Sequence, residues 1–365
     1  MGLTCGIVGL PNIGKSTLFN AISKSDIAAS ANYPFCTIEP NSAKVALNDT
    51  ILKQLAVVAN SQKIVPNYLE ITDIAGLVKG ASNGEGLGNK FLSHIREVDA
   101  IIHLVRCFDD SDITHVDGTV NPVRDIETIE LELIFSDIEQ AEKMLIKHEK
   151  KAKGGDKLAK EICDAMDPAL KVLNSGKMLN TIKDSELLSA LQKLNFITCK
   201  SSFYVCNVKE NDAINGNKFV ETVKEFAKKS GAKCVMICAK FEADIASIES
   251  DDERFEFLQS IGLDQSGIDA ITALAFETLN LRTFYTIGPK EAHAWTFPAG
   301  AKAPECAGII HTDFEKGFIK AETIGFHDYI EFEGESGARE VGKMRMEGKE
   351  YAVQHGDIMN FKFNV

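Results

Sequence analysis

Apolar residues along the chain follow two periods, and the alternation between them predicts an α/β protein. Continuous apolar runs at Leu3–Val8, Tyr68–Ile71, Ala100–Val105, Ser202–Cys206 and Cys234–Cys238 read as core strands. Helical spacing takes over after the first of these, at Leu18–Ile22, and again at Lys218–Ser230. From about Glu127 the pattern is helical alone. Ile134, Ile138, Ala141 and Leu145 mark one helix, and Ile162, Met166, Ala169, Leu170 and Leu173 a second. Gly154 and Gly155 separate them, which predicts an αα-hairpin, a short antiparallel coiled coil. A further helix is expected near Asp184–Leu194. From Arg282 the chain becomes β-rich, with strands expected at Phe284–Ile287, Ala292–Phe297, Tyr329–Glu333 and Ile358–Phe363 and a helix near Ala303–His311. About 85 residues can fold alone as a small α+β domain.

Between the first strand and the first helix lies Gly9-Leu-Pro-Asn-Ile-Gly-Lys-Ser-Thr17. It fits G-x-x-x-x-G-K-[ST] in the strand–loop–helix setting that the motif requires. Glycines let successive N–H groups turn toward phosphate oxygens, and the helix N-terminus adds a positive dipole end. Lys15 would reach the β- and γ-phosphates, and the Ser16 hydroxyl would ligate Mg²⁺. This is a nucleotide-phosphate site.

Two later segments suit a switch that senses the γ-phosphate. Thr37, the only Thr of the loop Tyr33-Pro-Phe-Cys-Thr37-Ile-Glu-Pro40, is a candidate Mg²⁺ ligand. Asp73 stands at the C-terminal end of the Tyr68–Ile71 strand, where open α/β sheets bind ligands, and would hold Mg²⁺ through water. The Gly76 N–H would meet the γ-phosphate. Gly80 to Gly88, with four glycines in nine residues, has the composition of a mobile loop. Leu77 follows Gly76 where Ras-like enzymes carry a water-orienting Gln, so either another group positions the water or intrinsic hydrolysis is slow and a partner completes the site. His115 is the His to test for that role. Asn12 offers a second substitute, holding a K⁺ ion beside the phosphates. His103, within a buried strand pattern, reads as a core residue.

The base end is altered. GTPases read guanine with N-K-x-D, whose Asp accepts bonds from guanine N1–H and N2–H₂. Here the corresponding stretch is Asn207-Val208-Lys209-Glu210, followed later by Cys238-Ala239-Lys240. Asn207 would bond purine N7 or the adenine N6 amine, and Val208 would pack near the base. Weakened guanine selectivity follows directly; a preference for adenine is the sharper inference.

Composition adds limits. The 365 residues suffice for two or three domains, and 44% hydrophobic with 25% charged residues is ordinary for a soluble globular protein. No apolar run approaches the roughly 20 residues that span a bilayer. A net charge of −13 argues against polyanion binding by the whole surface, though not by a local patch. Such a patch is the hairpin tip, where Lys143, Lys147, Lys150, Lys151, Lys153, Lys157 and Lys160 crowd together. It reads equally as a solvated face or as a basic prong toward RNA. Nine scattered cysteines without a CxxC pair indicate a reduced, cytosolic protein.

In this order, GLPNIGKST, FCTIEPN, DIAGLVKGAS, NVKE and CAKFEA, with a helical insertion and the LRTFYTIGPKEAHAWTF region, closely resemble the YchF subfamily of Obg-like P-loop ATPases over essentially the whole chain. The resemblance implies three parts: a Ras-like P-loop NTPase domain at 1–127 and 200–281, a coiled-coil hairpin inserted at 128–199, and a TGS domain at 282–365. It implies phosphate binding by Asn12, Ile13, Gly14, Lys15, Ser16 and Thr17, Mg²⁺ on Ser16 and Thr37, and an adenine contact at Val208. It further implies a largely monomeric cytoplasmic ATPase that associates with the ribosome, through the large subunit and its rRNA. A GTP-specific switch, a small-molecule kinase and a nucleotide-binding module without turnover are the competing readings.

Overall fold

The computed structural model describes residues 3–30, 41–74 and 86–364. Along the chain run β1 (Leu3–Val8), α1 (Lys15–Ser30), β2 (Ser42–Ala46), α2 (Thr50–Val58), β3 (Ile64–Val65), β4 (Tyr68–Asp73), α3 (Gly86–Glu97) and β5 (Ala100–Arg106). The hairpin helices α4 (Pro122–Lys153) and α5 (Lys157–Asn174) follow, then α6 (Ser185–Lys193), β6 (Ser201–Asn207), α7 (Lys218–Ser230), β7 (Lys233–Ile237), α8 (Ala239–Ile245), α9 (Asp251–Ser260) and α10 (Gly267–Thr278). The C-terminal run is β8 (Leu281–Ile287), β9 (Ala292–Pro298), α11 (Ala303–Ile310), α12 (Thr312–Lys316), β10 (Phe318–Gly325), α13 (Phe326–Glu331), α14 (Glu335–Glu340), β11 (Arg345–Glu347) and β12 (Asp357–Phe363).

The chain divides into two compact units: residues 1–45 with 70–275, and residues 46–69 with 276–365. In the first, the sheet order is β2-β4-β1-β5-β6-β7. The β1–β5, β5–β6 and β6–β7 pairs are parallel. Every residue of β5 is buried, as expected of a strand covered on both faces. The consequence is functional: parallel strands deliver their C-terminal ends, and the loops after them, to one edge. His103, on β5, is a core residue whose ring lies 5.6 Å from that of Tyr204, and burial pushes its pKa down to about 3.

The hairpin forms as its pattern predicts, with α4 starting a few residues earlier than the periodicity suggests. Asn121 caps it by accepting from Arg124 N–H (3.2 Å), and Pro122 sits in the first turn, where a missing N–H costs nothing. Gly155, at φ +91°, turns the chain in a conformation that suits glycine, and Asp156 caps α5 by accepting from Ala159 N–H (3.0 Å). The core between the helices holds Ile134, Ala141, Met166, Ala169 and Leu173. Asp137, fully buried, fixes α4 to the 197–199 turn by accepting from the Ile197 and Thr198 amides and the Thr198 hydroxyl.

The second unit carries a sheet of order β11-β10-β12-β8-β9-β3, mixed in direction. Here the structure differs from the sequence reading in three ways. Residues 46–69, expected with the N-terminal domain, pack with the C-terminal strands: Leu52 and Leu55 of α2 share a core with Tyr285, Ala292 and Ile358. Tyr329–Glu333, expected as a strand, lies mostly in α13. The β-favouring Tyr and Ile are overridden because a short helix lets Tyr329 enter that same core. Strand β10, which the sequence reading passed over, pairs with both β11 and β12. Among the described residues no disulfide forms, and Cys234 lies beside Cys206 as packing.

Candidate functional site

The C-terminal ends of β1, β5, β6 and β7 open onto a cleft of about 900 Å³ in the first unit. Residues 10–17, apart from buried Ile13, line one side; Val208 and Ala239 line another. The P-loop conformation is specified locally. Gly14 sits at φ +91°, and Asn12 at +62°, a left-handed conformation that Asn tolerates better than most residues. Ser16 and Thr17 are in the first turn of α1, where unsatisfied N–H groups and the dipole favour an anion. Lys15 Nζ is ion-paired with Asp73 Oδ1 at the end of β4. This pair brings together two residues 58 positions apart and sets the end of β4 against the P-loop.

Asn207, which lines the cleft, also makes two bonds within the protein. Its Nδ2 donates to the Ile13 carbonyl (2.8 Å) and its Oδ1 accepts from the Ala239 N–H (3.0 Å). Buried at the end of β6, the side chain braces the P-loop against the loop after β7. Val208 beside it is buried and lines the cleft. Glu210 also lines the cleft, but its carboxylate is paired with Lys240 Nζ (2.8 Å). Across the rim Lys209 pairs with Asp110 (3.1 Å). The Asp112 amide, together with that lysine, holds the Asp110 carboxyl below its ordinary range.

His115 is not a solvated loop residue. It is buried, with Nε2 2.9 Å from Asp125 Oδ2 and Nδ1 accepting from the Asp117 N–H (3.1 Å). An acceptor Nδ1 places the proton on Nε2, donated to the carboxylate. Both nitrogens are therefore engaged. His115, Asp117 and Asp125 approach metal-ligand spacing, but Arg124 already supplies the cation, 3.1 Å from Asp125 and 3.6 Å from Asp117. Asn12 touches the same loop, donating from Nδ2 to the Thr114 carbonyl (3.1 Å). Thr37, Gly76 and Leu77, with the Gly80–Gly88 loop up to residue 85, lie outside the described residues.

The donor types fit Mg²⁺: the exposed Ser16 in the first turn of α1 carries a hydroxyl, and the half-buried Asp73 at the end of β4, paired with Lys15, a carboxylate, both hard oxygen donors.

Sequence reasoning missed the cleft wall built by β5. Arg106, 1% exposed, donates from Nε to the Phe108 carbonyl (3.1 Å) and from Nη2 to the Ile113 carbonyl (3.0 Å). Its guanidinium also lies 4.7 Å from the Phe108 ring centroid. One buried cation thus shapes the segment that presents Phe108, Asp110 and Ile113 to the cleft. The signal was available: this segment follows a parallel strand's C-terminal end, as Asn207 does.

Residues 4–148 match a family model described as "50S ribosome-binding GTPase", and residues 281–364 match YchF-GTPase_C, described as "Protein of unknown function (DUF933)". The chain is 50% identical over 366 residues to the "Ribosome-binding ATPase YchF" of Pasteurella multocida and 49% identical over 368 to that of Bacillus subtilis, with both chains fully covered in each case. It is also similar to the solved structure of the Schizosaccharomyces pombe YchF GTPase, with a TM-score of 0.88, 37% identity, and 99% of this chain and 98% of that one covered. A P-loop between β1 and α1, a helical hairpin and full-length identity near one half lead to one assignment: the chain belongs to the YchF family of P-loop nucleoside triphosphatases.

Proposed function

We propose that the protein is a slow, Mg²⁺-dependent ATPase that acts in the cytoplasm, as a monomer, as a conformational switch on the ribosome. The observation that carries this reading is the asymmetry of the cleft: a complete P-loop at one end, and at the other a base wall with Val208 for Lys and a lysine-paired Glu210 for Asp. The P-loop amides and Lys15 would hold the β- and γ-phosphates. Ser16, Thr37 and Asp73 would hold Mg²⁺, which supplies charge neutralisation at the transferred phosphoryl group. Ile13, Gly14 and Thr17 complete the phosphate cradle, and the Gly76 amide would sense the γ-phosphate.

Slow turnover follows from Leu77, which has no polar atom to orient water. His115 would take that part only by exchanging its Asp125 bond for one to the water. Asn12, whose Nδ2 is engaged by Thr114, has its Oδ1 for a K⁺ ion. The ribosomal contact is proposed for the hairpin tip. Among the described residues Lys147, Lys150, Lys151, Lys157 and Lys160 have no acidic partner there, whereas Lys143 and Lys153 pair with Glu139 and Glu149. Its partner would be the phosphate backbone of rRNA in the large subunit.

Binding and hydrolysis of Mg-ATP and Mg-GTP, measured in K⁺ and in Na⁺ with and without ribosomes, test the reading. ATP bound more tightly than GTP, with turnover raised by ribosomes and K⁺, is expected. A clear GTP preference would replace the ATPase by a GTPase switch, and no turnover under any condition would leave a binding module.

A further inference from the structure

Two carboxylates line the cleft, Asp110 and Glu210, and each is engaged by a lysine. Guanine offers N1–H and N2–H₂ on its Watson–Crick edge, donors that an ionised carboxylate accepts. Adenine offers there a single donor, the N6 amine, beside an N1 lone pair that repels the second oxygen of a free carboxylate, so it cannot match guanine's two donors. Glu210 occupies the position from which a guanine-reading carboxylate acts, one methylene longer than Asp. Its Oε1 lies 2.8 Å from Lys240 Nζ. The neighbouring Ala239 N–H, another group able to read a base carbonyl, is already donated to Asn207 Oδ1.

We propose that Lys240 is a specificity-determining residue, neutralising and occupying the Glu210 carboxylate so that the cleft accepts adenine and loses its hold on guanine. The proposal rests on the reading that a purine triphosphate occupies this cleft. Val208 supplies an apolar surface that packs on either purine, so discrimination falls to the polar rim. There the lysine decides whether the base meets a charge or a compensated pair. Both side chains are partly exposed, 66% for Lys240 and 45% for Glu210, so salt weakens the pair before a base covers it. The ratio of GTP to ATP affinity should therefore rise with ionic strength; the two triphosphates carry equal charge, so their own screening cancels.

The test is calorimetric or competition binding of Mg-ATP and Mg-GTP to the full chain, in wild type, Lys240→Met, Glu210→Gln and the double variant. Lys240→Met is expected to move the GTP-to-ATP affinity ratio about tenfold toward GTP, the effect of exposing one carboxylate to the base edge. The double variant should lose that gain, and the salt dependence of the ratio should vanish in Lys240→Met. An unchanged ratio in Lys240→Met, or a gain that persists without the Glu210 carboxylate, overturns the role of Lys240 while leaving the cleft assignment standing. Wild-type binding of neither nucleotide, or binding that survives Lys15→Ala, removes the cleft assignment and the proposal with it.

Discussion

The side-chain amide of Asn207 fills the space where a β-carbon on Gly14 would lie: such an atom would stand 2.3 Å from Asn207 Nδ2. The two residues are nearly 200 positions apart, yet each makes the other necessary. Glycine admits the amide, and the amide ties the Ile13 carbonyl to the Ala239 N–H.

Gly14→Ala should therefore damage the cleft twice, by the clash and by an unfavourable φ of +91°. A loss of about 2–4 kcal/mol in unfolding free energy is expected, with ATP affinity reduced at least a hundredfold. Asn207→Ala should cost about 2–3 kcal/mol, because a buried carbonyl and a buried N–H lose their partner. Denaturant unfolding and calorimetric binding check both. Retention of full ATP affinity by either variant would contradict the bracing role.

Lys15→Ala should separate binding from stability. The Lys15–Asp73 pair is partly exposed, with side-chain accessibilities of 13% and 20%, so its loss should shift stability by no more than about 1 kcal/mol. Nucleotide affinity should fall at least a hundredfold, since the phosphates lose the cation that the P-loop contributes. A thermal melt run with and without Mg-ATP shows both effects at once: similar midpoints without nucleotide, and nucleotide stabilisation only in wild type.

Replacing Lys147, Lys150, Lys151, Lys157 and Lys160 with Gln should weaken ribosome binding and flatten its salt dependence. Every phosphate that goes without its lysine lowers the log–log slope by about 0.7–0.9. ATP hydrolysis without ribosomes should be unaltered. Co-sedimentation across a salt series measures the slope, and an unchanged slope would assign the ribosomal contact to another surface.

Glu242 should give the fold a pH dependence of its own. Its carboxylate is buried at the start of α10, accepting from Gly267 N–H (2.8 Å) and Ile268 N–H (3.1 Å), and burial pushes its pKa up to about 7 against two amides that pull it down. A carboxyl whose folded pKa is raised from 4.5 binds its proton more tightly when folded. Its stabilising contribution is complete below about pH 4.5 and is lost as pH rises through about 7. The loss is at most about 3 kcal/mol. Unfolding measured from about pH 5 to 7.5 should show this decline in wild type and a flatter profile in Glu242→Gln; parallel profiles would reassign the slope to other groups.

Much of the site was legible because its chemistry is local. The P-loop needs its glycines, Lys15 and Ser16 at fixed spacing within one turn, and periodicity placed the strand before it and the helix after it. The hairpin was equally legible, since its core residues recur at the helical period around a Gly-Gly turn. The base end was only half legible. Asn207 and Glu210 were found by position, but the first braces the backbone and the second is held by Lys240. His115 was singled out as a candidate to position water, but nothing in the sequence marked its burial against Asp125. The segment after β5 could be found from its place at the end of a parallel strand, but the part Arg106 plays in shaping it could not, because its partners are main-chain carbonyls that carry no residue identity.

By itself, then, the order of residues determined the elements whose causes lie within a few positions: the phosphate loop, the buried parallel strands, the capped hairpin and the altered base motif. Tertiary structure decided what depends on long-range partners. It gave residues 46–69 to the C-terminal unit, made a helix of the Tyr329 segment, and turned the polar groups at the base end into braces and ion pairs. The physical reason is that a side chain's hydrogen-bond capacity is written in the sequence, whereas the neighbour that consumes it is set only when distant segments pack.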